Sequence, residues 1–191
     1  MTVPTIYLVR HGETEWSRSG RHTGRTDLPL TAQGEADGRL LAQRLKGIPV
    51  TTVLSSPRLR AWRTAELAGF HPVIEPDLAE WDYGDYEGLT TAEIRHTNPH
   101  WNLFRDGCPA GESPEQIAAR VDRLIGKLQG LSGTVLCFAH GHVLRVLAAR
   151  WVGQPVTFAA CLLLGTAAIC SLGFDHGQRD EPAIRSWNLD R

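Results

Sequence analysis

The sequence predicts an α/β protein, a three-layer α/β/α fold with a mainly parallel central sheet, an antiparallel C-terminal strand pair and a small lid insertion. Three observations carry this expectation. Short apolar runs alternate with stretches of helical periodicity, the pattern of a parallel sheet covered on both faces. The last two apolar runs are joined by a short polar loop, His176-Gly177 and charged residues, which favours antiparallel pairing. Residues 77–113 lack strong strands and interrupt the alternation as a lid would. At 191 residues, 42% hydrophobic and 21% charged, the chain has the size and composition of one packed domain, residues 1–191.

The first strand is the run Ile6 to Val9. After a glycine-containing loop a helix opens near Thr31, whose hydroxyl suits an N-cap, and Ala36, Leu40, Leu41 and Leu45 share one helical face. Gly47 and Pro49 end it, and Val53 and Leu54 form a second strand. The next helix is expected to begin at Ser56, with Pro57 in the first helical position, where a missing N–H costs nothing. Val73 and Ile74 make a short strand. In the lid, Thr90 and Glu93 form a capping box for one short helix. A second box, Ser113 with Gln116, opens a helix carrying Ile117, Val121, Leu124, Ile125 and Leu128 on one face. Thr134 to Ala139 is the most hydrophobic strand, and a helix from about His142 to Val152 follows it, stopped by Gly153 and Pro155. Strands Ala167 to Phe174 and Ala183 to Trp187 close the pattern.

Charge and cysteine usage narrow the function. Twenty Lys and Arg against 21 Asp and Glu leave a formal charge of -1, so no global field attracts nucleic acid or an acidic membrane. Lys46 and Lys127 are the only lysines; the arginine bias suits bidentate phosphate recognition, and a GC-rich genome produces the same bias. Cys108, Cys137, Cys161 and Cys170 show no CxxC spacing and read as free, mostly buried thiols. The N-terminus shows no secretory pattern, so a cytoplasmic address is expected. Val156 to Phe174 is uncharged over a length that nominally spans a bilayer, but Thr157, Gly165, Thr166 and Ser171 dilute it, and it reads as a loop leading into a buried strand.

Ligands of parallel sheets bind beyond the C-terminal strand ends. Three polar groups fall there: Arg10-His11 after the first strand, Ser56 to Arg60 after the second, and His140 after the Thr134 strand. Each alone has a plain reading, as a surface histidine, a solvated basic helix bearing Arg60 and Arg63, or a capping histidine or His-x-His metal pair at His140 and His142.

Together, the Arg10-His11-Gly12-Glu13 motif, the Ser56-Pro57-x-x-Arg60-Ala61-x-x-Thr64 motif, the acidic stretch Glu80 to Gly88, Gly111-Glu112-Ser113 and Ala139-His140-Gly141-His142 resemble the histidine phosphatase superfamily, in order and spacing, along essentially the whole chain. The resemblance implies that His11 is the nucleophile, that Arg10, Arg60 and His140 surround the transferred phosphoryl group, and that Glu80 is the proton donor. Loose, in-line phosphoryl transfer needs charge stabilisation at the equatorial oxygens above all, and two guanidiniums with an imidazolium supply it without a metal or other cofactor. His11 must be neutral at its attacking nitrogen, which nearby arginine charges favour. Glu80 is expected to be kept partly protonated by burial or by the substrate's charge. Asp82, Asp85, Glu87 and Glu112 invite a metal site, but no metal is expected; Glu87 and Glu112 orient arginines instead, and Ser113 serves equally well as a helix cap.

The resemblance further implies substrate contacts from Ser17, Thr23, Gly24, Arg21, Arg25, Arg58, Gly141 and His142. Mutases of the family carry a longer insertion with paired arginines, whereas this lid holds only Arg95 and Arg105; Ser17 and His142 also stand where mutases have asparagine. Hydrolysis is therefore expected over mutase activity or a non-catalytic phospholigand-binding role. The partner is a small phosphate ester, most similar to those of the sedoheptulose-1,7-bisphosphatase and broad-specificity acid phosphatase subgroup, with Arg21, His22, Arg25 or Arg58 holding a second phosphate. Trp16, Trp81 and Trp101 either cover a sugar face or pack the lid.

Overall fold

The computed structural model describes residues 3–189. Its centre is a six-stranded sheet built from β1 (Thr5–Arg10), β2 (Val50–Ser55), β3 (Val73–Ile74), β4 (Thr134–Ala139), β5 (Ile169–Phe174) and β6 (Pro182–Leu189), in the order β3-β2-β4-β1-β5-β6. The first four run parallel, while β5 is antiparallel to both β1 and β6. The helices are α1 (Glu15–Ser19), α2 (Ala32–Arg44), α3 (Leu59–Leu67), α4 (Thr91–Thr97), α5 (Leu103–Asp106), α6 (Pro114–Gln129) and α7 (Gly141–Trp151).

Strand alternation sorts the core into two layers. Ile6, Leu8, Val135, Cys137 and Ala139 join a cluster with α6 and α7, while Val9, Leu136 and Phe138 join another with Leu41 of α2, Leu45 at its C-terminal end and Ala65 of α3. Residues 135–139 of β4 are all fully buried, and burying each large apolar side chain there stabilises the fold by about 1.5–3 kcal/mol. Residues 77–113 belong to the same first cluster through Trp81, Tyr83, Ile94, Trp101, Leu103 and Phe104, so the packing reading of Trp81 and Trp101 prevails. Among the described residues, no helix is long and apolar enough to cross a membrane.

Three local expectations differ from the structure. On α2 the buried residues are Gly34, Gly38 and Leu41, while Leu40 is 54% exposed and Ala36 is also exposed. The face is set by close backbone approach. A Cβ at Gly34 would lie 2.1 Å from the Glu13 carbonyl oxygen, and one at Gly12 would lie 2.3 Å from that of Gly34. The second difference is the start of α3, at Leu59 rather than Ser56. Ser56 N–H still donates to Phe138 O as a continuation of the sheet, and the Leu59 N–H is capped by the Asp27 carboxylate at 2.9 Å from a distant loop. The third is a second short helix within residues 77–113, α5, capped by Asn102. The boxes at Thr90/Glu93 and Ser113/Gln116 form as expected.

Candidate active site

The sheet brings the three strand ends together because β4 lies between β2 and β1. Arg10 pairs with Ala139 in register and Ser55 with Phe138, so the next residues, His11, His140 and Ser56, emerge side by side. His11 is 4% exposed and anchored by its own N–H to Ala139 O at 2.9 Å. Its Nδ1 lies 2.7 Å from the Gly12 carbonyl oxygen. A carbonyl only accepts, so Nδ1 carries the hydrogen and Nε2 holds the lone pair. Burial lowers the His11 pKa well below its ordinary 6.5, followed by the charges of Arg60 and then Arg10. Burial thus outranks the arginine charges that the sequence suggested.

A cavity of about 160 Å³ opens on His11. It is lined by Arg10, Ser17, Arg21, His22, Thr23, Glu80, Tyr83, Gly141, His142 and Arg145, with Gly20 and Leu164. The Arg10 guanidinium packs over Gly141, where a Cβ would come within 3.3 Å of Arg10 Cζ. One Arg10 nitrogen donates to Leu164 O at 2.5 Å, but its buried Nε has no acceptor among the described residues. Burial lowers the Arg10 pKa, and the charge of Glu80 opposes this. An unpaired buried donor of this kind is costly unless an acceptor arrives, and an anion is the natural one.

Glu80 is 8% exposed and sits at the N-terminus of α7. Its Oε1 accepts from Trp81 N at 2.9 Å and Val143 N at 2.8 Å, and its Oε2 accepts from His142 N at 3.0 Å. The carboxylate therefore caps a helix whose dipole favours negative charge there. Arg120 fixes the loop from behind through Asp77 O, Ala79 O and a two-pronged contact with Glu112.

Arg60 and His140 stand behind the cavity rather than on its wall, each fully buried. Arg60 donates to Thr26 O, Thr23 O and Gly24 O, and its Nε donates to His140 Nδ1 at 3.1 Å. Because Nδ1 accepts, the His140 hydrogen is on Nε2, which points to Ser56 Oγ at 2.7 Å. His140 is thus a neutral imidazole in this arrangement, not the imidazolium expected. Burial, then Arg60, lowers its pKa well below 6.5. Its ring meets His11 edge to face, centroids 5.2 Å apart.

The profile of the histidine phosphatase superfamily, branch 1, matches residues 6–190. The chain belongs to this superfamily. It is 43% identical over 179 residues to a protein named acid phosphatase from Mycobacterium tuberculosis, covering 91% of this chain and 88% of that one. It is 40% identical over 189 residues to sedoheptulose 1,7-bisphosphatase from Saccharomyces cerevisiae, covering 80% and 69%. The solved structure of an open reading frame from M. tuberculosis superposes with a TM-score of 0.92 at 40% identity, covering 97% of each chain.

Within this histidine phosphatase fold the remaining sequence expectations divide. Ser17 and Thr23 reach the cavity, although the Ser17 hydroxyl also caps α1 through Thr14. Arg21 lines it while bonded to Gly88 O and Glu93. Gly24, Arg25 and Arg58 do not line it. Gly24 N–H is tied to Glu87, and Arg25 and Arg58 face a neighbouring depression, where Arg25 pairs with Asp82 at 2.6 Å. The acidic stretch disperses rather than clusters. Glu112 pairs with Arg120, whereas Glu87 binds the N–H groups of Gly24 and Thr26, in the loop that holds Arg60. Among the described residues, no group of three or more His, Cys, Asp or Glu is arranged to hold a metal ion.

Two cavity residues escape sequence reasoning. Tyr83 is 1% exposed, and its hydroxyl is 2.5 Å from His142 Nδ1. Burial, with the Glu80 charge, raises its pKa well above 10, so it stays the donor and His142 keeps its hydrogen on Nε2. Arg145 lies four residues after Gly141, on the same face of α7, over the Phe104 ring at 4.5 Å. That i, i+4 spacing from the Gly141 motif was the available signal. His22 completes the wall, 4.8 Å from the Tyr83 ring centroid.

Proposed function

We propose that this protein hydrolyses phosphomonoesters of small metabolites, sugar phosphates or bisphosphates among them, by passing the phosphoryl group through His11. The protein is a hydrolase of the histidine phosphatase superfamily, a phosphatase of small phosphorylated metabolites. The single observation that carries the mechanism is His11 Nδ1 held on Gly12 O, which leaves Nε2 for the substrate, beside the unpaired buried Nε of Arg10.

His11 Nε2 attacks phosphorus, forming an N–P bond as the ester P–O bond breaks. Glu80 takes a proton on Oε2, which accepts a single N–H, from the monoanion of the bound phosphate ester and passes it to the leaving alkoxide. Water then attacks the phosphohistidine, giving its proton to Glu80 and releasing phosphate. Arg10 stabilises charge on the equatorial oxygens, and Arg60 with His140 supports it from behind. Gly141 permits this close approach, and no metal or other cofactor takes part.

Hydrolysis rather than mutase chemistry is supported by the lid. Arg95, bonded to Trp101 O, and Arg105, bonded to His100 O and Asp106, do not line the His11 cavity, so neither offers a cation to a second carboxylate or phosphate there. Arg21 and Arg145 offer cations to a charged substrate, and His22, Tyr83 and His142 give an aromatic wall for a sugar. The free thiols Cys108, Cys137, Cys161 and Cys170 suit a reducing cytoplasm, and the chain acts as one domain, with residues 77–113 as its lid.

A panel of sugar monophosphates and bisphosphates, assayed with EDTA, tests the substrate class. A kcat/KM for at least one bisphosphate about tenfold above its monophosphate is expected, the effect of one added charge-assisted contact. Equal values throughout would remove the bisphosphate preference, and turnover abolished by EDTA would remove the metal-independent mechanism.

A further inference from the structure

We propose that Ser56 is a positioning residue: its hydroxyl accepts the His140 Nε2–H and so, with Arg60 at Nδ1, fixes the tautomer of the ring and its place behind the His11 cavity. The inference rests on the phosphatase reading above for its functional half only. The geometry is a closed chain of three side chains. Arg60 Nε has only a hydrogen to give and gives it to His140 Nδ1, at 3.1 Å. The ring must then present a hydrogen at Nε2, and the group that accepts it is Ser56 Oγ, at 2.7 Å. All three residues are fully buried, so no bulk water competes for these bonds.

Ser56 is itself held on two sides. Its N–H donates to Phe138 O, two residues before His140, and its hydroxyl oxygen accepts the Arg58 N–H at 3.2 Å. This explains why the chain leaves β2 at Ser56 without starting the helix there: the residue is retained in the sheet's hydrogen-bonding frame, aimed at the neighbouring strand end. Without the Ser56 hydroxyl, the Nε2–H would be a buried donor lacking a partner. The ring would then turn towards any other acceptor, and a displacement of about 1 Å near a reacting centre suffices to lower turnover by roughly 100-fold.

Ser56→Ala and Ser56→Cys separate positioning from packing. Cysteine nearly fills the same volume but accepts a hydrogen bond weakly, so it preserves the fill and removes the restraint. Ring nitrogen NMR on histidine-labelled wild type, without substrate, is expected to show His140 with a bare Nδ1 and a protonated Nε2. In both variants the protonated Nε2 signal is expected to shift as it loses its acceptor, while Nδ1 stays bare against Arg60. Both variants are also expected to lose about 10- to 100-fold in kcat, with KM for para-nitrophenyl phosphate changed less than about threefold. A hydrogen on Nδ1 in the wild type would overturn the proposal. So would wild-type turnover in Ser56→Cys, which would assign Ser56 to packing alone. The tautomer is read in the resting protein, so it stands or falls separately from the phosphatase reading, which a lack of any turnover in the wild type would overturn instead.

Discussion

Replacing Glu80 with glutamine separates the two jobs that the geometry gives this side chain. The carboxylate accepts three backbone N–H groups, from Trp81, His142 and Val143, and two of them belong to the first turn of α7. Glutamine keeps one carbonyl oxygen, which retains the Trp81 and Val143 bonds, but turns an NH2 towards His142 N–H. One buried donor loses its acceptor, at about 1–3 kcal/mol, and the favourable charge at the helix N-terminus, worth up to about 2 kcal/mol, disappears. The sum is about 1–5 kcal/mol, which for a chain of this length lowers Tm by roughly 2–20 °C. On catalysis, losing a proton donor costs about 10²–10⁴ with an alkyl phosphate, whose alkoxide needs the proton. It costs far less with para-nitrophenyl phosphate, whose phenolate leaves unaided. Thermal unfolding at pH 7 and kcat on both substrates make the assay. Equal losses on the two substrates would refute the proton-donor role, and an unchanged Tm would refute the capping role.

Other consequences follow from single features of the site. Gly12→Ala, which would place a Cβ 2.3 Å from Gly34 O, is expected to destabilise the fold by at least about 1–3 kcal/mol and to reduce kcat by displacing His11; thermal melting and para-nitrophenyl phosphate turnover check it. His11, His140 and His142 all have pKa values lowered well below 6.5 by burial in the fold. The unfolded chain therefore takes up more protons than the native one below about pH 6.5, so stability is present above that pH and is lost as pH falls, by up to about 1.4 kcal/mol per pH unit for each histidine. Urea midpoints at pH 7.5 and 5 measure this, and a midpoint that rises on acidification would contradict it. The same depression keeps His11 neutral, so the acid limb of kcat/KM is expected below pH 6.5. Arg145→Ala removes a cavity cation and is expected to lower kcat/KM for sugar phosphates by about tenfold, whereas Arg25→Ala, an exposed residue paired with Asp82 outside that cavity, changes it less than about twofold.

The fold was legible because its signals are local. Strand runs, the boxes at Thr90 and Ser113, and the alternation itself require only neighbours in sequence. Two of the three differences come from distant partners, while the third, α5, is capped locally by Asn102. The start of α3 is capped by Asp27, more than thirty residues away by sequence, as the 32-residue separation of that bond records. Leu40 is left in solvent because Gly34 and Gly38 let the α2 backbone approach its neighbours, an effect that apolar periodicity cannot register. At the site, motif spacing brought His11, Arg10, Glu80 and Gly141 to one cavity. It did not reveal that Arg60 spends its donors on Thr23, Gly24, Thr26 and His140, or that this fixes His140 as neutral. Nor does sequence order separate Arg25 and Arg58 from the cavity, although among the described residues Glu80 alone borders both hollows.

The most direct test of the central claim is intact mass of the protein quenched in alkali during turnover of para-nitrophenyl phosphate in EDTA, alongside His11→Ala. The account predicts an acid-labile adduct of one phosphoryl group on wild type, absent from His11→Ala together with turnover. An adduct that persists in His11→Ala, or turnover that survives the substitution, would contradict it.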